Sequence, residues 1–138
     1  MSWNSNLLVI AHRTIDSEDL VELLVGRAAA GPIRVTLLVP AHGDRVTTAR
    51  RLDRAVLRLE AKDITVEGLV GHPDPIIALD EIWRAYRYDE VIVATLPDGR
   101  SRLVSRALPH RIERFTGVEV THVVAPVWDG SWMQQAYT

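Results

Sequence analysis

The sequence predicts a doubly wound α/β domain built on a five-stranded, mostly parallel sheet. Five short runs rich in Val and Ile, four intervening segments with helical apolar spacing, and the strict alternation of the two carry that expectation. Right-handed crossovers turn such an alternation into a parallel sheet with helices on both faces.

The first run, NLLVIA at 6–11, is short and nearly continuous, as expected of a strand buried on both faces. A helix follows from Ser17, with Leu20, Leu23, Leu24 and Ala28 on one side and Glu18 and Asp19 in the first turn, where the helix dipole favours acids. The second run is IRVTLLVP at 33–40. After it a helix is expected from Asp44, burying Val46, Ala49, Leu52, Val56 and Leu59 and turning Arg50, Arg51, Arg54 and Arg58 to solvent. The third run, ITVEGLVG at 64–71, leads to Asp74-Pro75, an N-cap followed by a proline suited to the first helical position. That helix continues through Ile77, Ala78, Ile82 and Ala85. The fourth run is DEVIVATL at 89–96, and the basic segment after it carries the fourth helix to Thr116-Gly117, where glycine suits a helix C-terminus. The fifth run is VEVTHVVAP at 118–126. All five are expected to be buried on both faces.

A chain of 138 residues, 47% hydrophobic and 25% charged, has the size and composition of one globular domain. The domain is assigned to 1–126, and 127–138 to an aromatic tail containing Trp128, Trp132, Met133 and Tyr137. There is no cysteine, which excludes disulfides, thiolate metal sites and cysteine nucleophiles. A formal charge of −2 provides no global field for nucleic acid. Acidic Asp44, Asp53 and Glu60 intersperse the arginines of the second helix, and no stacking platform accompanies them. The apolar run near the start, bounded by Asn6 and His12, is too short for a leader or a membrane span, so the expected location is the cytoplasm.

In open α/β sheets ligands bind outside the carboxyl ends of the strands, so the residues after each run are the ones to weigh. They are Ala11-His12-Arg13-Thr14, Ala41-His42-Gly43-Asp44, Gly71-His72-Pro73-Asp74 and Leu96-Pro97-Asp98-Gly99-Arg100-Ser101-Arg102. No G-x-G-x-x-G or G-x-x-x-x-G-K-[ST] cradle and no G-x-S-x-G nucleophile elbow is present. A phospho-receiver would need acids where His12 and His72 stand. His12, His42 and His72 lack the close spacing of metal ligands, so no metal is expected.

The alternation of elements, the stretch GHPDPIIALDEI and the fourth-strand region DEVIVATLPDGRSRLVSRALPHRIER resemble the universal stress protein superfamily over about residues 5–126. The resemblance implies a Rossmann-like sheet in the order 3-2-1-4-5 and a nucleotide site with the pattern Gly-x2-Gly-x9-Gly-Ser/Thr after the fourth strand. Gly99 and the nine residues Arg100 to Leu108 reproduce the second half of that spacing. The first glycine falls on Leu96, and the closing pair falls on Pro109-His110. Proline has no N–H to offer a phosphate, and the first strand ends without the acidic residue usual in ATP-binding members. The resemblance therefore implies a binding or regulatory module of the stress response, not an enzyme, whose grip on ATP or AMP is weakened or lost. The candidate nucleotide or anion contacts are His12, Gly71, His72, Gly99, Arg100, Ser101, Arg102 and His110, since guanidinium forks and a hydroxyl still suit an anion.

The fifth strand in this superfamily is an edge that commonly pairs across a homodimer. Val118, Val120, His122, Val124 and Trp128 are accordingly the expected interface, with an intrachain cover for the edge as the competing arrangement. Two other readings stay open: an α/β enzyme acting on a nucleotide or phosphorylated substrate, and an interaction module with no ligand.

Overall fold

The computed structural model describes residues 5–12, 14–41, 43–83, 88–95 and 108–124. Its elements run β1 (Ser5–Ile10), α1 (Glu18–Ala30), β2 (Ile33–Pro40), α2 (Arg45–Glu60), β3 (Thr65–Gly71), α3 (Pro75–Trp83), β4 (Glu90–Thr95), α4 (Leu108–Thr116) and β5 (Glu119–Val124). The sheet has five strands in the order β3-β2-β1-β4-β5, and every pairing is parallel. The doubly wound architecture and its strand order are those expected.

Local chemistry sets the helix starts. The Ser17 side chain accepts the backbone N–H of Leu20, Asp44 accepts that of Val46, and Asp74 accepts those of Ile76 and Ile77. Each side chain satisfies a donor that the first turn leaves without a partner. Gly117 ends α4 at φ 72°, its N–H bonded to the Glu113 carbonyl at 2.8 Å, a left-handed position that glycine takes without strain.

Two apolar layers enclose the sheet. On one face α1 and α2 bring Leu20, Leu24, Leu52, Ala55 and Leu59 onto Leu7, Val9, Val35, Leu37 and Ile92. On the other, α3 and α4 bring Ala78, Leu79, Leu108 and Ile112 onto Leu8, Ile10, Leu38, Val91 and Val93. The inner strands are buried on both faces, as their continuous apolar runs require. β3 and β5 are not: they form the two edges, and their residues are half-buried or exposed. A Val-rich run cannot report whether a neighbour lies on each side, which is why the expectation fails at the edges. Val46 and Ile77 also depart from expectation. They are 58% and 43% exposed, because α2 and α3 are rotated so that Thr48, Ala55 and Leu79 take the inner positions.

The arginines of α2 are not uniformly solvated either. Arg58 donates to the Asp16 carbonyl at 2.6 Å and pairs with Glu18, tying the helix to the segment that enters α1.

A polar clasp joins α1 to the other end of the sheet. Arg27 makes a two-pronged contact with Glu90, Nε to Oε1 at 3.0 Å and Nη2 to Oε2 at 2.9 Å, while the Thr121 hydroxyl donates to the same carboxylate. Burial pushes the Glu90 carboxyl up, but hydrogen bonds from Arg27 and Thr121 outweigh it and leave the group below the usual glutamate range. Stability from this clasp is therefore present above the ordinary glutamate pKa of about 4.3 and is lost as the pH falls through the lowered folded value. Arg27→Ala is expected to cost ~1–2 kcal/mol near neutral pH, a discounted figure because the Arg27 side chain is 40% exposed. Urea unfolding at pH 7 and pH 3 checks it: the gap between wild type and variant should narrow in acid, and an unchanged gap would refute the clasp.

Candidate functional site

The carboxyl ends of the parallel strands gather the candidate residues on one edge, as the topology demands. At the end of β1 the chain turns at once, with Ile15 N–H donating to the His12 carbonyl and Ser17 N–H to the Thr14 carbonyl. The buried Thr14 hydroxyl reaches across to the Ala94 carbonyl at 2.9 Å, locking this turn onto the end of β4. His12 is half-buried beside it, its ring Nε2 shielded from solvent. This is the junction at which strand order reverses, where a crevice forms between neighbouring crossovers that leave on opposite faces.

At the ends of β2 and β3 the polar groups are occupied locally. Asp44 accepts from the Thr47 hydroxyl at 2.7 Å and the Val46 N–H at 2.9 Å, and these bonds hold its carboxyl below the usual range. His72, which is exposed, accepts the Asp74 N–H on Nδ1 at 2.9 Å, so its ring shapes the entry to α3. Gly71 has a packing reason. A Cβ there would lie 2.9 Å from both the Ala78 Cβ and Leu38 Cδ1, closer than carbon atoms tolerate.

At the end of β4 the buried Thr95 places its hydroxyl 2.6 Å from Nε2 of His122 on β5. Neither Thr95 nor Thr14 was among the sequence candidates. Their signal was available in outline: each is a hydroxyl residue at or just past the carboxyl end of an apolar strand. His110 lies in the first turn of α4 and is exposed, on the opposite side from the buried Leu108 and Ile112. The candidates Gly99, Arg100, Ser101 and Arg102, the flanking Arg13, His42 and Leu96, and the tail with Trp128 lie outside the described residues. So the structure brings His12 and the Thr95–His122 pair to the β1–β4–β5 end of the edge, leaving Gly71 and His72 two strands away on β3.

Of the residues expected at a dimer interface, Val118 and Val120 pack partly against the α3–α4 core, while His122 and Val124 are exposed. All four share one face of the strand, since side chains alternate. Among the described residues no group of three or more His, Asp or Glu side chains is placed to hold a metal ion. Among them, too, no helix is long and apolar enough to cross a membrane.

No family model matches the chain, and no curated protein matches it. Among solved structures, the fold is similar to that of a universal stress protein crystallised in complex with cAMP. The two share 21% identity with a TM-score of 0.61, over 91% of this chain and 99% of the other. The chain thus has the fold of a universal stress protein along nearly its whole length.

Proposed function

We propose that the protein is a universal stress protein-like binding or regulatory module that takes a nucleotide or small anion at the carboxyl edge of β1 and β4 and catalyses no reaction on it. The observation that carries this reading is the match in fold over almost all of both chains, to a protein crystallised in complex with cAMP, combined with a polar edge next to the junction at which strand order reverses. Departures from the nucleotide-loop pattern at Leu96 and Pro109 argue for a modified grip. Pro109 sits in the first turn of α4, a position that usually offers an N–H to an anion. ATP, AMP and cAMP are the nucleotides to test, the first two from the sequence resemblance and the third from the similar structure. The protein acts as a cytoplasmic homodimer joined along β5, whose outer edge has no strand beside it among the described residues.

Melting the purified protein with and without millimolar ATP, ADP, AMP or cAMP tests the ligand. A nucleotide present at 100 times its dissociation constant adds about 2.7 kcal/mol, which moves the midpoint of a domain this size by several degrees. An upward shift with one of them is expected, without turnover of the nucleotide. If none moves the midpoint, the nucleotide reading fails; if the nucleotide is consumed, the non-enzymatic reading fails.

A further inference from the structure

The α3–α4 face of the sheet changes character at its carboxyl end. Register places Leu8 beside Val91 and Ile10 beside Val93, two apolar layers; two residues further along β4 stands Thr95. On β5 the same face reads Val118, Val120, His122. His122 is in register with Val93, and its ring meets the Thr95 hydroxyl one layer up. Across the adjacent strands β4 and β5, therefore, the apolar face ends in hydroxyl and imidazole.

Packing does not require this. Val91 and Val93 show that the face accepts valine, and the hydroxyl of a threonine that is 2% exposed loses hydration that it must recover from a partner. Thr95 recovers it from His122, whose residue is otherwise exposed. The pair thus connects the buried end of β4 to solvent at the edge from which the chain leaves toward α4. The surroundings favour negative charge. The N-terminal end of α4 opens on this edge, and exposed His110 and Arg111 stand in its first turn. The carboxylates of Asp44 and Asp74 cap helices at the ends of β2 and β3, on the far side of β1 from β5.

We propose that His122, oriented by Thr95, is a ligand contact that donates a hydrogen bond to an anionic oxygen, phosphate or carboxylate, of the molecule bound at this edge. The inference rests on the reading that the edge binds a small anionic ligand. It assigns His122 to that site and not to the dimer interface.

Calorimetric titration of the wild-type protein, His122→Gln and Thr95→Val with cAMP, AMP, ATP and inorganic phosphate tests it, alongside the ring ¹⁵N shifts of His122. Circular dichroism melts confirm that each variant folds. Wild-type binding that weakens about tenfold in His122→Gln, the loss of ~1.4 kcal/mol, is expected. Thr95→Val should weaken binding by a smaller factor, and the His122 ring resonances should move on titration. If a nucleotide binds but both variants match wild type within twofold and the ring shifts stay fixed, the assignment of His122 is overturned while the nucleotide reading survives. If only phosphate binds and His122 responds to it, the nucleotide reading fails and the anion contact stands. If neither nucleotide nor phosphate binds, both fall.

Discussion

Replacing Ile112 with alanine is expected to destabilise the protein by ~2–5 kcal/mol and lower its melting temperature by roughly 10 °C. The described helix α4 is short, nine residues, and only Leu108 and Ile112 of it are fully buried. Both enter the apolar layer formed with Val91, Val93 and Leu8, so deleting most of one side chain leaves a cavity that the remaining contact cannot close. The effect reaches function because the first turn of α4 borders the candidate site. Ile112→Ala should therefore reduce both stability and any anion binding, whereas Phe115→Ala, at a side chain 44% exposed, should change neither by more than about 0.5 kcal/mol. Thermal melts of the two variants check this; equal effects would mean that α4 is not held by Ile112.

Gly71→Ala should cost ~1–3 kcal/mol, more than Gly68→Ala three residues earlier on the same strand. Both glycines lie beneath a helix, but what an added methyl would strike differs. At Gly68 the obstacle is the isobutyl group of Leu52, with Cγ at 2.9 Å and both methyls at 3.0–3.1 Å, a side chain that can change rotamer without moving the backbone of α2. At Gly71 it is the Ala78 Cβ at 2.9 Å, fixed to the backbone of α3, together with Leu38 Cδ1 at 2.9 Å. Relief there requires the helix itself to move. Urea unfolding of the two variants decides the order, and a larger loss at Gly68 would refute it. The same geometry bears on binding: Gly71 is a candidate nucleotide contact by its place at the end of β3, and the close approach of α3 explains its lack of a side chain without a ligand.

Much of the fold was legible because its signals are local. Continuous β-branched runs marked the inner strands, and Ser17, Asp44, Asp74 and Gly117 marked helix ends through hydrogen bonds spanning only a few residues. Helical rotation was less legible. Apolar spacing admits more than one inward face on α2 and α3, and the contacts with β3 and β2 chose the one that leaves Val46 and Ile77 outside. The candidate site was legible as an edge but not as a set of contacts. His12 and His72 both follow strands, yet β2 separates those strands, and the ring of His72 is taken up by the backbone of its own loop.

Sequence alone determined the alternation of strands and helices, the caps and the edge on which polar residues collect, because each depends on neighbours within a few positions along the chain. The tertiary structure decided what pairs across long separations: Arg27 with Glu90, Thr14 with the Ala94 carbonyl, and Thr95 with His122. Those contacts join residues 27 to 80 positions apart, and only strand order and register, set by packing two helical layers onto one sheet, bring them within hydrogen-bonding reach.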